Sequence, residues 1–135
     1  MKHRRPDEIV RYRAPGAERL SRLAAFLDTL PEGQLTFTRW YGHGRGCAVG
    51  LAAHDDLWMQ AQGLGLEQGA QSRMSYPVYE GQTDWPAVAA FFALPLETAQ
   101  ELFSARGYDG DLRPSPREIA ARVRLHLRQD TRVTA

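Results

Sequence analysis

Residues 40–50, "WYGHGRGCAVG", decide how this chain is read. Eleven positions hold the only cysteine of the sequence, four of its glycines, His43 and Arg45. Four readings compete. A phosphate-cradling loop would use Gly44, Gly46 and Gly50 between a strand and a helix whose N-terminus meets the phosphate. That reading needs a second buried parallel strand ending in an acid about 20 residues on. Residues 63–72, "GLGLEQGAQS", make a poor buried strand, and no Gly-Lys-Ser/Thr triplet follows a glycine-rich loop. A metal site would use His43, Cys47, His54 and Asp55, but their spacing matches no standard zinc pattern and lacks a paired Cys-x-x-Cys. A thiol nucleophile would place Cys47 at a helix N-terminus, where the dipole and Arg45 lower its pKa and His43 or His54 serves as base. The fourth reading is architectural. "CAVGLAA" (47–53) is uniformly small and apolar, free cysteine is among the most buried residue types, and the glycines let the chain turn and pack closely.

The architectural reading explains the stretch best, so no catalytic residue, metal or cofactor is expected. Cys47, His43 and His54 are the residues that a thiol-dependent enzyme would have to use.

On either side of this stretch the periodicity is helical. Leu20, Leu23, Ala24, Leu27 and Leu30 recur at steps of three and four, predicting a helix from Ala17 that stops at "PEG" (31–33). "QLTFTRWY" (34–41) is β-branched and aromatic, and reads as a short strand, with a loop as the alternative. Asp55 or Asp56 caps a second short helix carrying Leu57, Trp58 and Ala61. Residues 63–83 are rich in Gly, Gln and Ser, with "MSYPVYEG" as a strand-like island, so a hairpin or ordered loop is expected there. A helix capped at Thr83 or Asp84 turns Val88, Phe91 and Phe92 inward. The next buries Leu96, Ala99, Leu102 and Phe103 and stops at Gly107. The last begins with Ser115 as cap, Pro116 first and Glu118 at N3, and runs to about Arg128. The expected fold class is mainly α, with α+β as the alternative: a single domain of four to six helices with a small β-hairpin or extended segment. Residues 1–14 form a basic arm, mobile or an edge element, 15–129 the helical domain, and 130–135 a frayed C-terminus.

The order of "CAVGLAA", the "YPVY" island, "AAFFALPLETAQELF" and "PSPREIAARVRLHL" resembles a family of small uncharacterised bacterial proteins. Shared features are a Cys-Ala-x-Gly helix, Phe-Phe-x-Leu and Ala-x-x-Leu-Phe helices and a final Pro-x-x-x-Ala-Ala helix. The resemblance spans about residues 20–128 and rests on core positions. It implies a shared helical fold and carries over no catalytic residue and no activity.

At 135 residues the chain has the length of one domain. Its longest apolar runs, such as "VAAFFAL" (88–94), fall far short of the roughly 20 residues that span a bilayer. The basic N-terminus lacks an apolar signal-peptide core, and one cysteine makes no internal disulfide, so a cytoplasmic protein without a membrane partner is expected.

A net charge of +1 conceals an uneven distribution. Residues 1–13 carry +3, residues 113–135 carry +4, and the middle carries −6. Sixteen of the seventeen basic residues are arginine, whose planar fork suits bidentate contacts with carboxylate or phosphate. On the last helix Arg117, Arg124 and Arg128 fall within about 40° of one another at 100° per residue, away from Ala120, Val123 and Leu127. With Arg4 and Arg5 of the N-terminal arm they make the expected binding surface.

The function expected from this pattern is non-enzymatic: a regulatory or accessory protein presenting an arginine-bearing face to an acidic protein partner, itself included. A nucleic-acid-binding protein using both basic ends is the alternative. Against it stand a pI of about 8.0, the acidic middle and the absence of a recognisable nucleic-acid-binding motif. Trp40, Trp58, Trp85, Tyr76 and Tyr79 could stack on bases but are expected in the core. Asp55-Asp56 and Asp109-x-Asp111 read as turn and capping residues.

Overall fold

The glycine-rich stretch is a β-hairpin feeding a buried helix. β1 (Tyr41–Gly42) pairs antiparallel with β2 (Arg45–Gly46), and the two residues between them, His43 and Gly44, have φ of 54° and 75°. Two consecutive residues at positive φ make the tight turn whose twist suits a two-residue hairpin. α2 (Ala48–Asp55) starts directly afterwards, with Cys47 as its N-cap. The Trp40 carbonyl accepts the Cys47 N–H at 3.1 Å. Gly46 and Gly50 make this approach possible: a Cβ on Gly50 would lie 1.8 Å from the Trp40 oxygen, and one on Gly46 would lie 2.2 Å from it.

This computed structural model describes the backbone of residues 6–70 and 73–134, and side chains from 15 to 70 and from 73 to 129. Its architecture corrects the mainly α expectation. Six helices and a five-stranded antiparallel sheet make an α+β domain. β3 (Gly65–Gln68) lies against β4 (Ser75–Tyr79) from Gly65–Val78 to Gln68–Ser75. β1 and β5 (Gln82–Thr83) share the other edge of β4, through Tyr41–Ser75 and Val78–Thr83. Pro77 falls in the gap between those two partners. Alternation from the closing pair Tyr79–Gln82 aims its nitrogen at that gap, where no ladder bond is lost. Glu80 and Gly81 form a second turn of the same kind, with φ of 47° and 80°.

A hairpin was one expectation for 63–83, where β3, β4 and β5 lie, but the five-stranded sheet was not, because strands of two to five residues are too short for alternation to register. The strand expected over 34–41 is largely a loop. Only Leu35 bridges to Gly46, and regular pairing begins at Tyr41.

α1 (Pro6–Asp28) starts eleven residues before the predicted Ala17 and contains Pro15. Its backbone therefore runs through much of the expected N-terminal arm; Arg4 and Arg5 lie outside the described residues. α3 (Leu57–Ala61) is capped by Asp56, whose Oδ1 accepts the Trp58 N–H at 3.0 Å. Its buried residue is Met59, while Leu57 is 78 % exposed. α4 (Asp84–Phe92) follows β5, and Ala93 closes it in the left-handed region. α5 (Leu96–Phe103) ends before Gly107, which instead sits in a 3-10 turn over Ala105–Tyr108. α6 (Pro116–Thr134) opens as the Ser-Pro-x-Glu signal predicts, with the Glu118 N–H donating to Ser115 Oγ at 3.1 Å, and continues past Arg128.

The layers are stacked in a definite order. α2 and α4 cover one face of the sheet, α1 packs across both, and α6 packs on α1 and α5. Leu23, Leu27, Leu51, Phe91, Ile119 and Val123 are fully buried where these layers meet. An aromatic series runs Tyr79–Phe91–Phe92–Phe103, with centroids 5.1, 4.9 and 5.4 Å apart.

Replacing Gly50 by alanine should destabilise the domain by about 2–3 kcal/mol, because the methyl group would displace either Trp40 or α2. Gly44→Ala meets no atom within 4 Å and bears only its positive φ, about 1 kcal/mol. Urea unfolding midpoints of the two variants should therefore rank Gly50→Ala well below Gly44→Ala; equal midpoints would remove the close approach as the organising contact.

Candidate functional site

The residues of the glycine-cysteine stretch do not converge. Cys47 is 4 % exposed, and its Sγ accepts the Gly50 N–H at 3.4 Å. Burial pushes the thiol up from 9.0 to about 11, against the lesser pull of the backbone N–H groups of the first turn of α2. The helix terminus does not produce a thiolate here, because removal from water outweighs the dipole. His43 is exposed in the hairpin turn, and no hydrogen bond joins either His43 or His54 to Cys47. His54 sits at the far end of α2. Its Nδ1 is 2.5 Å from Asp55 Oδ1, and its ring stacks on Tyr41 with centroids 4.1 Å apart at 14°. Burial, then the nearby Asp55 carboxylate, raises the Tyr41 hydroxyl. Among the described residues no three His, Cys, Asp or Glu side chains are grouped to hold a metal.

α6 orders its side chains as the helical spacing predicts. Ile119, Ala120 and Val123 are fully buried against α1 and α5, and Leu127 packs against the same core. Arg117, Arg124 and Arg128 face solvent together, beside Leu125, which is 46 % exposed. Arg124 is partly committed, with Nη2 donating to Asp28 Oδ2 of α1 at 2.6 Å. Its side chain is 43 % exposed and that of Asp28 40 %, so this surface pair contributes about 0–1 kcal/mol. Arg117 and Arg128 have no carboxylate partner among the described residues. Arg122, outside the stripe, lies over the Tyr108 ring at 4.1 Å and donates to the Gly107 carbonyl. Its charge is thereby turned toward the fold. His126 is half-buried beside the apolar side.

One arginine was missed. Arg19 of α1 is half-buried, its guanidinium 4.4 Å from the Phe91 ring centroid. Nη1 donates to the Phe91 carbonyl at 2.9 Å and to Tyr79 Oη at 3.3 Å, and Nη2 donates to Gln62 Oε1 at 3.4 Å. A cation is thus held at the C-terminal end of α4, where its helix dipole is negative. The signal was present: Arg19, Leu23, Phe26 and Leu30 step by four, three and four, which places Arg19 on the edge of the apolar stripe.

Two glutamates lie at the β3–β4–β5 end of the sheet. A shallow depression of about 270 Å³ lies on the β3–β4–β5 end of the sheet, lined by Gly63, Glu67, Val78, Glu80 and Thr83 among others. Two carboxylates and no cationic side chain line it. Tyr76 Oη donates to Glu67 Oε2 at 3.0 Å, and that bond raises the Tyr76 hydroxyl.

Searches of protein-family models, curated proteins and solved structures find no match to the chain. Trp40, Trp58, Trp85 and Tyr79 pack against the core, as expected: Trp40 lies 4.8 Å from Trp85, and Trp58 also meets the Arg22 guanidinium at 4.8 Å. Asp111 Oδ1 accepts the Arg113 N–H at 2.9 Å and Asp109 closes the 3-10 turn, so the second acidic pair has the turn role expected of it. No helix among the described residues is long and apolar enough to cross a membrane.

At pH 8 the thiolate fraction of Cys47 should be on the order of 10⁻³, so alkylation of the native protein should be about a hundredfold slower than in denaturant. The same thiol makes stability pH-dependent. With its native value near 11 and its ordinary value 9.0, Cys47 contributes fully below pH 9 and loses that contribution as pH climbs through 11. About 2–3 kcal/mol should disappear across that window. Tyr108, raised by burial, acts in the same direction at higher pH. A urea midpoint that stays level from pH 8 to 10.5 would contradict this account. Arg19→Met should cost about 1–3 kcal/mol, since it leaves the Phe91 carbonyl without its charged donor.

Proposed function

We propose that this chain is a cytoplasmic, non-enzymatic interaction protein that binds an acidic protein surface through the solvent face of α6. The observation that carries the reading is the pair Arg117 and Arg128. Both are exposed and lack a carboxylate partner among the described residues, on a helix whose other side is fixed by Ile119, Ala120 and Val123. Leu125 adds an apolar contact beside them. Charged groups arranged this way set partner choice and association rate, and an adjoining apolar side chain slows release. Arg124 supplements the pair, because its ion pair with Asp28 is exposed and exchangeable.

The cluster around Arg19 supports a structural role for that arginine, since its hydrogen bonds tie α1 to α4, β4 and the end of α3. Cys47 is removed from surface chemistry by burial. The partner is a protein rather than a nucleic acid in this reading, because the negative middle of the chain opposes a long polyanion.

Fluorescence anisotropy with a labelled peptide of alternating Glu and Leu residues tests it against labelled single-stranded DNA and RNA at about 50 and 200 mM salt. Wild-type protein should bind the peptide, and Arg117→Glu/Arg128→Glu should weaken binding at least about tenfold with an unchanged melting temperature, as both side chains face solvent. Tight binding of DNA or RNA that falls about a thousandfold over that salt range would replace this reading with a nucleic-acid one.

A further inference from the structure

The acidic surface that fits α6 is present on the same chain. Glu67 and Glu80 line a depression, together with Val78 and Gly63, at the β3–β4–β5 end of the sheet. Glu67 stands opposite Tyr76 in the ladder, and Glu80 follows Tyr79 in the turn, so the two residues are about 10–13 Å apart along the strand direction. On α6, Arg117 and Arg128 are about 16 Å apart along the axis, with Leu125 between them in height. The spans agree within the reach of the side chains, and charge opposes charge at both ends. The apolar Leu125 would meet Val78, which is half-buried on the sheet's outer face.

Geometry keeps these two surfaces from meeting within one molecule. α6 packs on α1 and α5, the sheet packs on α2 and α4, and α1 lies between the two sets. Because the patches lie on opposite outer layers, a twofold dimer engaging both at once is disfavoured. One patch on each molecule must meet the other patch on the next, which is a head-to-tail contact.

We propose that the partner of the α6 face is the β3–β4–β5 end of a second copy of this chain, giving head-to-tail self-association. This rests on the α6 reading above and names its partner. The contact joins one exposed leucine and two ion pairs, so it belongs to the weak class of protein interfaces, is screened by salt, and depends on concentration.

Sedimentation velocity from about 20 μM to about 1 mM tests it, a range set for weak contacts. Wild-type protein should grow in mass with concentration at low salt, and about 500 mM salt should weaken association about tenfold. Two variants each remove one half of the contact: Leu125→Asp/Arg128→Glu on α6, and Glu67→Gln/Glu80→Gln on the sheet. Each alone should remain monomeric with an unchanged circular dichroism spectrum. Mixed in equal amounts they should form a 1:1 dimer and nothing larger, since one intact α6 meets one intact sheet end. Should the first variant lose its fold, Arg117→Gln/Arg128→Gln takes its place. A wild-type monomer at every concentration, association persisting in either variant, or a mixture that stays monomeric would each overturn the proposal. If self-association fails while the Glu-Leu peptide still binds wild-type protein, only the identity of the partner is wrong. If both fail, the α6 reading falls as well.

Discussion

The approach of the Trp40 carbonyl to Gly46, Cys47 and Gly50 organises this domain. One backbone oxygen accepts the N–H of the residue that caps α2, and it sits where any side chain at position 46 or 50 would collide. A loop arriving from α1 is thereby pinned against the buried first turn of α2. Once that contact is made, β1 and β2 have one available course, and β1 is delivered to the edge of β4 at Ser75. The small side chains of α2 let it lie close to both the sheet and α1. Cys47 belongs to this arrangement. Its sulfur faces the helix turn it caps, and its raised thiol is the consequence of that burial.

A second set of contacts ties the helical layers to the sheet. Arg19 reaches from α1 to the end of α4 and to the hydroxyl of Tyr79, so a single guanidinium links three elements. Its aromatic surroundings offset part of the cost of withdrawing its charge from water. The stack of layers that follows leaves α6 exposed on one side and the β3–β4–β5 end on the other, one cationic and one acidic. This separation of charge is what supports the proposed interaction role and the proposed head-to-tail contact. The modest net charge of the chain hides it.

Local signals in the sequence were reliable where one chemical feature governed a few residues. Asp56 as a cap, the Ser115-Pro116-x-Glu118 start and the inward face of α6 all depend on neighbours within one or two turns. The stop at Gly107 misled. That glycine is needed because a Cβ there would lie 1.7 Å from the Glu101 carbonyl, a packing demand and not a helix terminus. His43 and Glu80 also gave no warning. Both occupy the left-handed region in turns where Asn or Asp is the commoner signal, so neither turn was marked, although a hairpin was one expectation for 63–83.

The sequence by itself determined the helices, the buried character of the Cys47–Ala53 segment and the arginine stripe of α6, because each depends on periodicity or side-chain size along a continuous stretch. Only the tertiary structure decided that the domain is α+β, since strands of two to five residues acquire their identity from partners far along the chain. It also decided which arginines are available. Arg19 is engaged by Phe91 and Tyr79, Arg122 by Tyr108 and Gly107, and Arg124 by Asp28, all distant along the chain, while Arg117 and Arg128 face solvent. A side chain's charge is a property of the sequence, but whether that charge is already paired depends on what folding brings beside it.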